Sequence, residues 1–309
     1  MVQAAPTLAY VNGNLVPIDS AKISILDHGL LYGDGLFEGL SVDDGRIYRL
    51  DEHIDRLFRS AKYLRITPPL PRADMADAVA NVAAVNGLRD GYMRPILTRG
   101  TGPMGLGATR DIVEPNFLII PQVRARMTDE ARLETGLRAC TLNIRRIPAQ
   151  CLDPRVKTTN YLNQILGKFE TWDAGADVGV MLTPSGEVSE CCGENIFIVT
   201  NGVLRTPPGH LVLEGITRRS IIDIHRSAGG EVREESLFPF DLYTADEIFV
   251  TATLIEVASV TTIDGRGVGD GPAGPVTRRL FAALREDMAV NGRVVDYERP
   301  AHDDRGFAS

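Results

Sequence analysis

Lys157, in the run Pro154-Arg155-Val156-Lys157-Thr158-Thr159-Asn160-Tyr161, is the residue whose type and setting best suit covalent chemistry. Tyr161, Leu162, Ile165, Leu166 and Phe169 recur at helical spacing, and Thr158, Thr159 and Asn160 are good caps. The pattern predicts a core-facing helix beginning just after Lys157. An amine at the positive end of a helix dipole is favoured as its neutral form by about 0.3–1 kcal/mol, so strong activation would also need burial or a second cation. A neutral amine adds to carbonyl carbon, and Schiff-base chemistry is what such a lysine could do. Alone, it reads more readily as a surface lysine near a helix start.

Four further features bear on the same chemistry. Leu213-Glu214-Gly215-Ile216-Thr217 puts a glycine and a hydroxyl where a helix starts, an arrangement that offers backbone N–H groups to a phosphate, or a plain cap. Thr251-Ala252-Thr253 ends an apolar strand and could offer hydroxyls to the same anion, or simply suit a strand. Arg56 lies off the apolar stripe of its helix and reads as a solvated charge or a phosphate contact. Glu190, before the unusual Cys191-Cys192-Gly193 turn, reads as an exposed turn glutamate or a buried carboxylate. Together an amine, a phosphate cradle and an acid able to hold a protonated ring nitrogen are the protein parts that pyridoxal phosphate requires.

The elements that must position these residues read as two α+β units. The first opens with a hairpin at Asn12-Gly13 and a second at Asp44-Gly45. Two helices follow, one carrying Ile54, Leu57, Phe58, Ala61 and Leu64, the other Met75, Val79, Val82 and Ala83. Strands Tyr92 to Thr98 and Phe117 to Val123 flank a glycine-rich loop. Gly100-Thr101-Gly102-Pro103-Met104-Gly105 matches GxGxxG but opens no helix, so it offers no pyrophosphate site and reads as a loop. The expected division is a small domain over 1–121, a polar connection over 122–134, a large domain with Lys157 over 135–296, and an unstructured tail over 297–309.

With 309 residues, a formal charge of −8 and a pI near 5.2, the composition is that of a soluble protein with no nucleic-acid or membrane partner. The start of the chain lacks a targeting pattern, and a cytoplasmic enzyme is expected. Cys140, Cys151, Cys191 and Cys192 have no metal-ligand spacing, and His28, His53, His210, His225 and His302 are scattered, so no metal is expected.

The chain resembles the class IV, fold-type IV pyridoxal-phosphate aminotransferases, most closely the branched-chain amino acid aminotransferases. The motifs are Asp27-His28-Gly29-Leu30-Leu31-Tyr32-Gly33-Asp34-Gly35-Leu36-Phe37-Glu38-Gly39, His53-Ile54-Asp55-Arg56-Leu57, Tyr92-Met93-Arg94-Pro95, Lys157-Thr158-Thr159-Asn160-Tyr161, Ser189-Glu190 with Glu194-Asn195-Ile196-Phe197, Leu213-Glu214-Gly215-Ile216-Thr217-Arg218 and Ile263-Asp264-Gly265-Arg266. The resemblance implies a two-domain α+β fold like that of D-amino acid aminotransferases, with the site between the domains. It implies pyridoxal 5'-phosphate in Schiff-base linkage to Lys157, which shuttles the proton when released. Glu190 would pair the pyridine nitrogen, Tyr161 the ring O3′, and Arg56, Ile216, Thr217 and Thr253 the phosphate. Tyr92, Arg94 and the backbone near Thr253 and Leu254 would take the substrate carboxylate. Phe37 and Tyr32 would wall the side-chain pocket, Tyr32 from a partner subunit of a homodimer or higher homo-oligomer.

The expected reaction moves the amine of a branched-chain L-amino acid to 2-oxoglutarate in a ping-pong sequence. The alternatives are D-amino acid or (R)-amine transamination, 4-amino-4-deoxychorismate lyase activity, or a non-catalytic binding protein on the same fold. Phe37, where D-amino acid enzymes usually carry tyrosine, and the loop Pro103-Met104-Gly105-Leu106-Gly107, which lacks their Arg-x-His pair, favour the branched-chain reading. Cys191-Cys192 and Gly107-Ala108-Thr109-Arg110 depart from the family pattern.

Overall fold

The computed structural model describes residues 7–111, 114–123 and 130–298. The chain forms two compact units: Met1–Ala125 with Lys157–Asn160 and Met288–Ser309, and Arg126–Val156 with Tyr161–Asp287. Lys157 therefore falls with the first unit, together with Thr158, Thr159 and Asn160, while Val156 before it and Tyr161 after it belong to the second. Residues 124–129 of the expected connection lie outside the described residues, as do 299–309 of the expected tail.

Eight α-helices occur among the described residues: α1 (His28–Tyr32), α2 (Leu50–Leu64), α3 (Arg72–Val85), α4 (Glu130–Thr135), α5 (Leu162–Asp173), α6 (Ile216–Ser227), α7 (Pro239–Tyr243) and α8 (Pro275–Asn291). α4 occupies the end of the stretch read as a plain connection, with Leu133 buried.

The first unit is built on an antiparallel sheet in the order Gly292–Val294, Arg46–Tyr48, Leu40–Asp43, Gly91–Thr98, Phe117–Val123, Leu8–Val11, Asn14–Pro17, with Gly35–Phe37 also paired to Gly91–Thr98. The Asn12-Gly13 and Asp44-Gly45 turns both take positive φ at both positions, which matches the twist of their flanking strands. The stripe Ile54, Leu57 and Ala61 of α2 and the stripe Met75, Val79 and Val82 of α3 are buried. Beyond the last strand, the Tyr297 hydroxyl donates to Leu88 O and its ring lies under Arg89, so Tyr297, the first residue of the expected tail, is held in place.

The second unit has a mixed sheet in the order Val188–Cys191, Val178–Leu182, Leu137–Arg145, Glu256–Ile263, Glu247–Ala252, Asn195–Thr200, Val203–Thr206, Val232–Glu234, with Arg266–Gly267 on Glu256–Ile263. Its core is aliphatic and β-branched, with Val180, Val188, Ile196, Ile198, Ile248, Val250 and Val260 all buried, and Phe197 stacks on Phe249 at 5.0 Å.

The helix after Lys157 differs from its expected form twice. It begins at Leu162, with Tyr161 at the N-cap position and no side-chain cap, so Lys157 precedes the helix and is no part of its first turn. Its apolar stripe faces outward: Leu162, Ile165, Leu166, Phe169 and Trp172 are 67%, 49%, 45%, 52% and 59% exposed. The face laid on the sheet is Gln164, Gly167 and Thr171. Small residues make that approach close. A Cβ at Gly167 would stand 2.9 Å from Cys192 Sγ, and one at Gly179 would stand 2.1 Å from Thr171 Oγ1. Cys192, one of the two departures from the family pattern, is thus a packing residue under α5.

Candidate active site

In the first unit the site is organised by strand ends. Residues 157–160 run as an extended segment beside Gly35–Phe37: Phe37 N donates to Lys157 O, Thr159 N donates to Gly35 O, and Leu36 pairs with Thr158. This backbone pairing, and not a helix terminus, presents the Lys157 amine. Its Nζ lies 4.6 Å from the centroid of the Phe37 ring. Arg94 lies 4.5 Å from the same centroid and 5.1 Å from that of Tyr92, and its Nε donates to the Tyr92 hydroxyl at 2.8 Å. Four of the expected residues, Lys157, Phe37, Arg94 and Tyr92, are therefore brought together. The arrangement sets an amine and a carboxylate-binding guanidinium against one apolar ring, whose electron-rich face attracts both cations.

Arg56 is not the solvated charge that its place off the apolar stripe allowed. It is 3% exposed, and its guanidinium grips Glu38 side-on, Nε to Oε1 at 2.8 Å and Nη2 to Oε2 at 2.7 Å. His53, one turn earlier on α2, donates from Nδ1 to Glu38 Oε2 at 2.8 Å. The i, i+3 spacing puts both α2 side chains on one face. Burial pushes the Glu38 carboxyl up, but the Arg56 guanidinium and the His53 N–H outweigh it and hold it well below the usual carboxylate range. Burial pushes the His53 ring down against the pull of Glu38, so it serves as a neutral donor. Tyr32 lies at the end of α1, where its hydroxyl accepts from Gly105 N at 2.7 Å and its ring meets His28 edge-on. The loop after Thr98 is thereby tied to α1. It turns at Gly100, where φ is 108° and a Cβ would lie 1.9 Å from Glu114 O.

In the second unit Glu190 lies within the strand Val188–Cys191 and is buried, which decides between its two readings in favour of the interior carboxylate. Each of its partners is a donor: Arg146 Nε to Oε1 at 2.9 Å, Leu213 N to Oε2 at 2.8 Å and Asn195 Nδ2 to Oε2 at 3.4 Å. An acceptor-only group with this donor set is an ionised carboxylate. Asn195 also donates to Leu213 O, which fixes the segment entering α6. There Gly215 is required by space, since a Cβ would meet Asn195 Oδ1 at 2.2 Å. Gly215 is the N-cap and brings no capping side chain of its own, and Ile216 and Thr217 are the first helical residues, both buried. Thr253 and Leu254 lie in the turn after Glu247–Ala252 and are half-buried, as is Tyr161 at the start of α5.

Arg146, Glu38, His53 and Asn195 carry parts of this geometry that residue types alone did not assign. Glu38, His53 and Asn195 stand inside the quoted motifs without a role. Arg146 had one signal, a second arginine at the end of an otherwise strand-forming run. Among the described residues no group of three or more His, Cys, Asp or Glu is placed to hold a metal ion, and no helix is long and apolar enough to cross a membrane.

The profile described as Amino-transferase class IV matches residues 35–263. A Methanocaldococcus jannaschii protein provisionally named branched-chain-amino-acid aminotransferase is 45% identical over 278 residues, 90% of this chain and 95% of its own. The Escherichia coli K12 branched-chain-amino-acid aminotransferase is 35% identical, over 89% and 91% of the two chains. Among solved structures, a T.th. branched-chain amino acid aminotransferase with pyridoxamine 5'-phosphate superposes with a TM-score of 0.88 at 35% identity, over 96% of this chain and 98% of that one.

Proposed function

The chain belongs to the class IV aminotransferases, and from that premise we propose that it transfers the amino group of a branched-chain L-amino acid to 2-oxoglutarate, using pyridoxal 5'-phosphate. The observation that carries this reading is the Phe37 ring flanked by Lys157 Nζ and Arg94. An α-amino acid with an aliphatic side chain needs an amine for exchange, a cation for its carboxylate and an apolar wall, and this cluster supplies all three.

The donor sets suit the cofactor. Glu190 is an ionised, buried acceptor fit to hold a protonated ring nitrogen, and Arg146 keeps it in that role. α6 starts behind a glycine N-cap, and its first N–H groups, with Thr217, Thr253 and Arg56, would hold the phosphate. Tyr161 would hold O3′. When bound, the cofactor supplies an electron sink for the carbon that loses a proton. Lys157 would carry that proton to and from the substrate Cα, Arg94 and Tyr92 would orient the carboxylate, and Phe37 would exclude water from the aliphatic side chain.

A homodimer or higher homo-oligomer is part of the same reading. The outward apolar stripe of α5 supports it, because an exposed patch of that kind on a monomer marks an interaction surface.

The test is the visible spectrum of the purified holoenzyme with L-leucine and then 2-oxoglutarate, alongside Lys157→Ala. A yellow band that bleaches with L-leucine, returns with 2-oxoglutarate and fails to cycle in the variant is the expected result. Bleaching by D-alanine or an (R)-aryl amine alone would overturn the substrate while keeping the chemistry.

A further inference from the structure

Glu38 and His53 are buried, belong to two of the sequence motifs, and have no part in the reading above, yet they hydrogen-bond with each other and Glu38 grips Arg56, which does. Glu38 is fully buried in the segment after Gly35–Phe37, where its backbone N–H donates to Pro95 O. Its carboxylate takes the Nε and Nη2 edge of Arg56, and His53 braces Oε2 from the same face of α2. With side-chain exposures of 0% for Glu38, 2% for His53 and 4% for Arg56, the three form one buried, hydrogen-bonded cluster.

We propose that Glu38 and His53 are positioning residues that preset the Arg56 guanidinium for a phosphate-bearing ligand. The proposal rests on the cofactor reading above, in which Arg56 contacts the phosphate. A flexible arginine loses rotamer freedom when a ligand orders it, and here the fold has already fixed the guanidinium plane through one edge. The guanidinium plane thus has a set direction before any ligand arrives, which is how a preorganised donor gains affinity. The cluster also makes a prediction about sign. Glu38 neutralises Arg56, so if net charge were all that mattered, removing the carboxylate would strengthen phosphate binding. If orientation matters, the same change weakens it.

The experiment titrates cofactor-free protein with pyridoxal 5'-phosphate and, separately, with pyridoxal, following absorbance, for wild type, Glu38→Gln, His53→Gln and Arg56→Lys. Pyridoxal reports the amine and the ring contacts without the phosphate. Each variant is expected to weaken pyridoxal phosphate binding by about tenfold or more while leaving pyridoxal binding within about twofold. Equal losses for both aldehydes would reduce the cluster to general structure and overturn the proposal. Unchanged or tighter pyridoxal phosphate binding in Glu38→Gln would do the same. Should Glu38→Gln not fold, His53→Gln, which keeps the ion pair and removes only its brace, decides by the same criterion. Wild type that binds neither aldehyde would overturn the cofactor reading itself and this inference with it.

Discussion

Arg146 Nε lies 2.9 Å from Glu190 Oε1, and both side chains are about nine-tenths buried. The pair joins the end of the strand Leu137–Arg145 to a strand two places away in the same sheet. It gives the carboxylate proposed for the pyridine nitrogen a fixed direction. Arg146→Gln is expected to lower the stability of the cofactor-free protein by about 3–5 kcal/mol, because it leaves a buried carboxylate without its cation. A protonated ring nitrogen would then replace the missing charge, so saturating pyridoxal phosphate should raise Tm more in the variant than in wild type. Thermal melts with and without the cofactor check both outcomes.

Phe37 is the common surface for Lys157 and Arg94. Phe37→Leu keeps the apolar wall and removes the ring face, a loss of about 0.5–2 kcal/mol for each cation it held. The expected result is a fall in kcat/KM for L-leucine of about tenfold, measured in a coupled transamination assay, with cofactor content unchanged.

The stripe on α5 should report the oligomer. Phe169→Glu and Leu166→Glu put a charge where the single chain shows apolar surface. Both are expected to fold, since neither side chain is in the core, and to shift the sedimentation coefficient toward the monomer. A sedimentation profile identical to that of wild type would sink the assignment of this face as a contact between copies.

Gly167→Ala should destabilise the second unit. The new methyl would sit 2.9 Å from Cys192 Sγ and 3.1 Å from Leu142 Cδ1, and overpacking of this kind costs about 1–3 kcal/mol. Cys192→Gly removes the first obstacle, so the double variant should recover part of the loss. Denaturant titration of the two single variants and the pair measures the coupling.

Acid should act through Glu38. Its carboxyl is held well below the usual range, so its contribution to stability is complete above the unfolded-chain value and drains as pH falls through the folded one. Wild type should lose Tm steadily below about pH 4. Glu38→Gln should melt lower near neutrality, with the Arg56 guanidinium deprived of the Glu38 carboxylate, yet show a shallower fall over the acid range. Melting curves across that range distinguish the two slopes.

Much of the molecule was legible before any coordinates. Asn12-Gly13 and Asp44-Gly45 define hairpins because those residue types tolerate positive φ, and α2 and α3 follow from stripes that are buried except at Phe58 and Leu64, which are half-buried. The residue types of Lys157, Glu190 and Gly215-Ile216-Thr217, taken together, carry the chemistry proposed above, because an amine, an acid and a glycine at a helix start are local properties of a chain. Periodicity, however, reports that a helix has an apolar face and not what that face meets. The α5 stripe points outward because Gly167 and Thr171 fit the sheet more closely than leucines could. Arg56 reads as solvated until Glu38, distant in sequence, closes over its guanidinium. Arg146 is one arginine among many until the sheet sets it beside Glu190. Which elements form and which groups can react are written in residue types and their spacing, since both are local properties. Which charges are paired and which faces are covered waits on the folded chain, because each depends on residues brought together from separate parts of it.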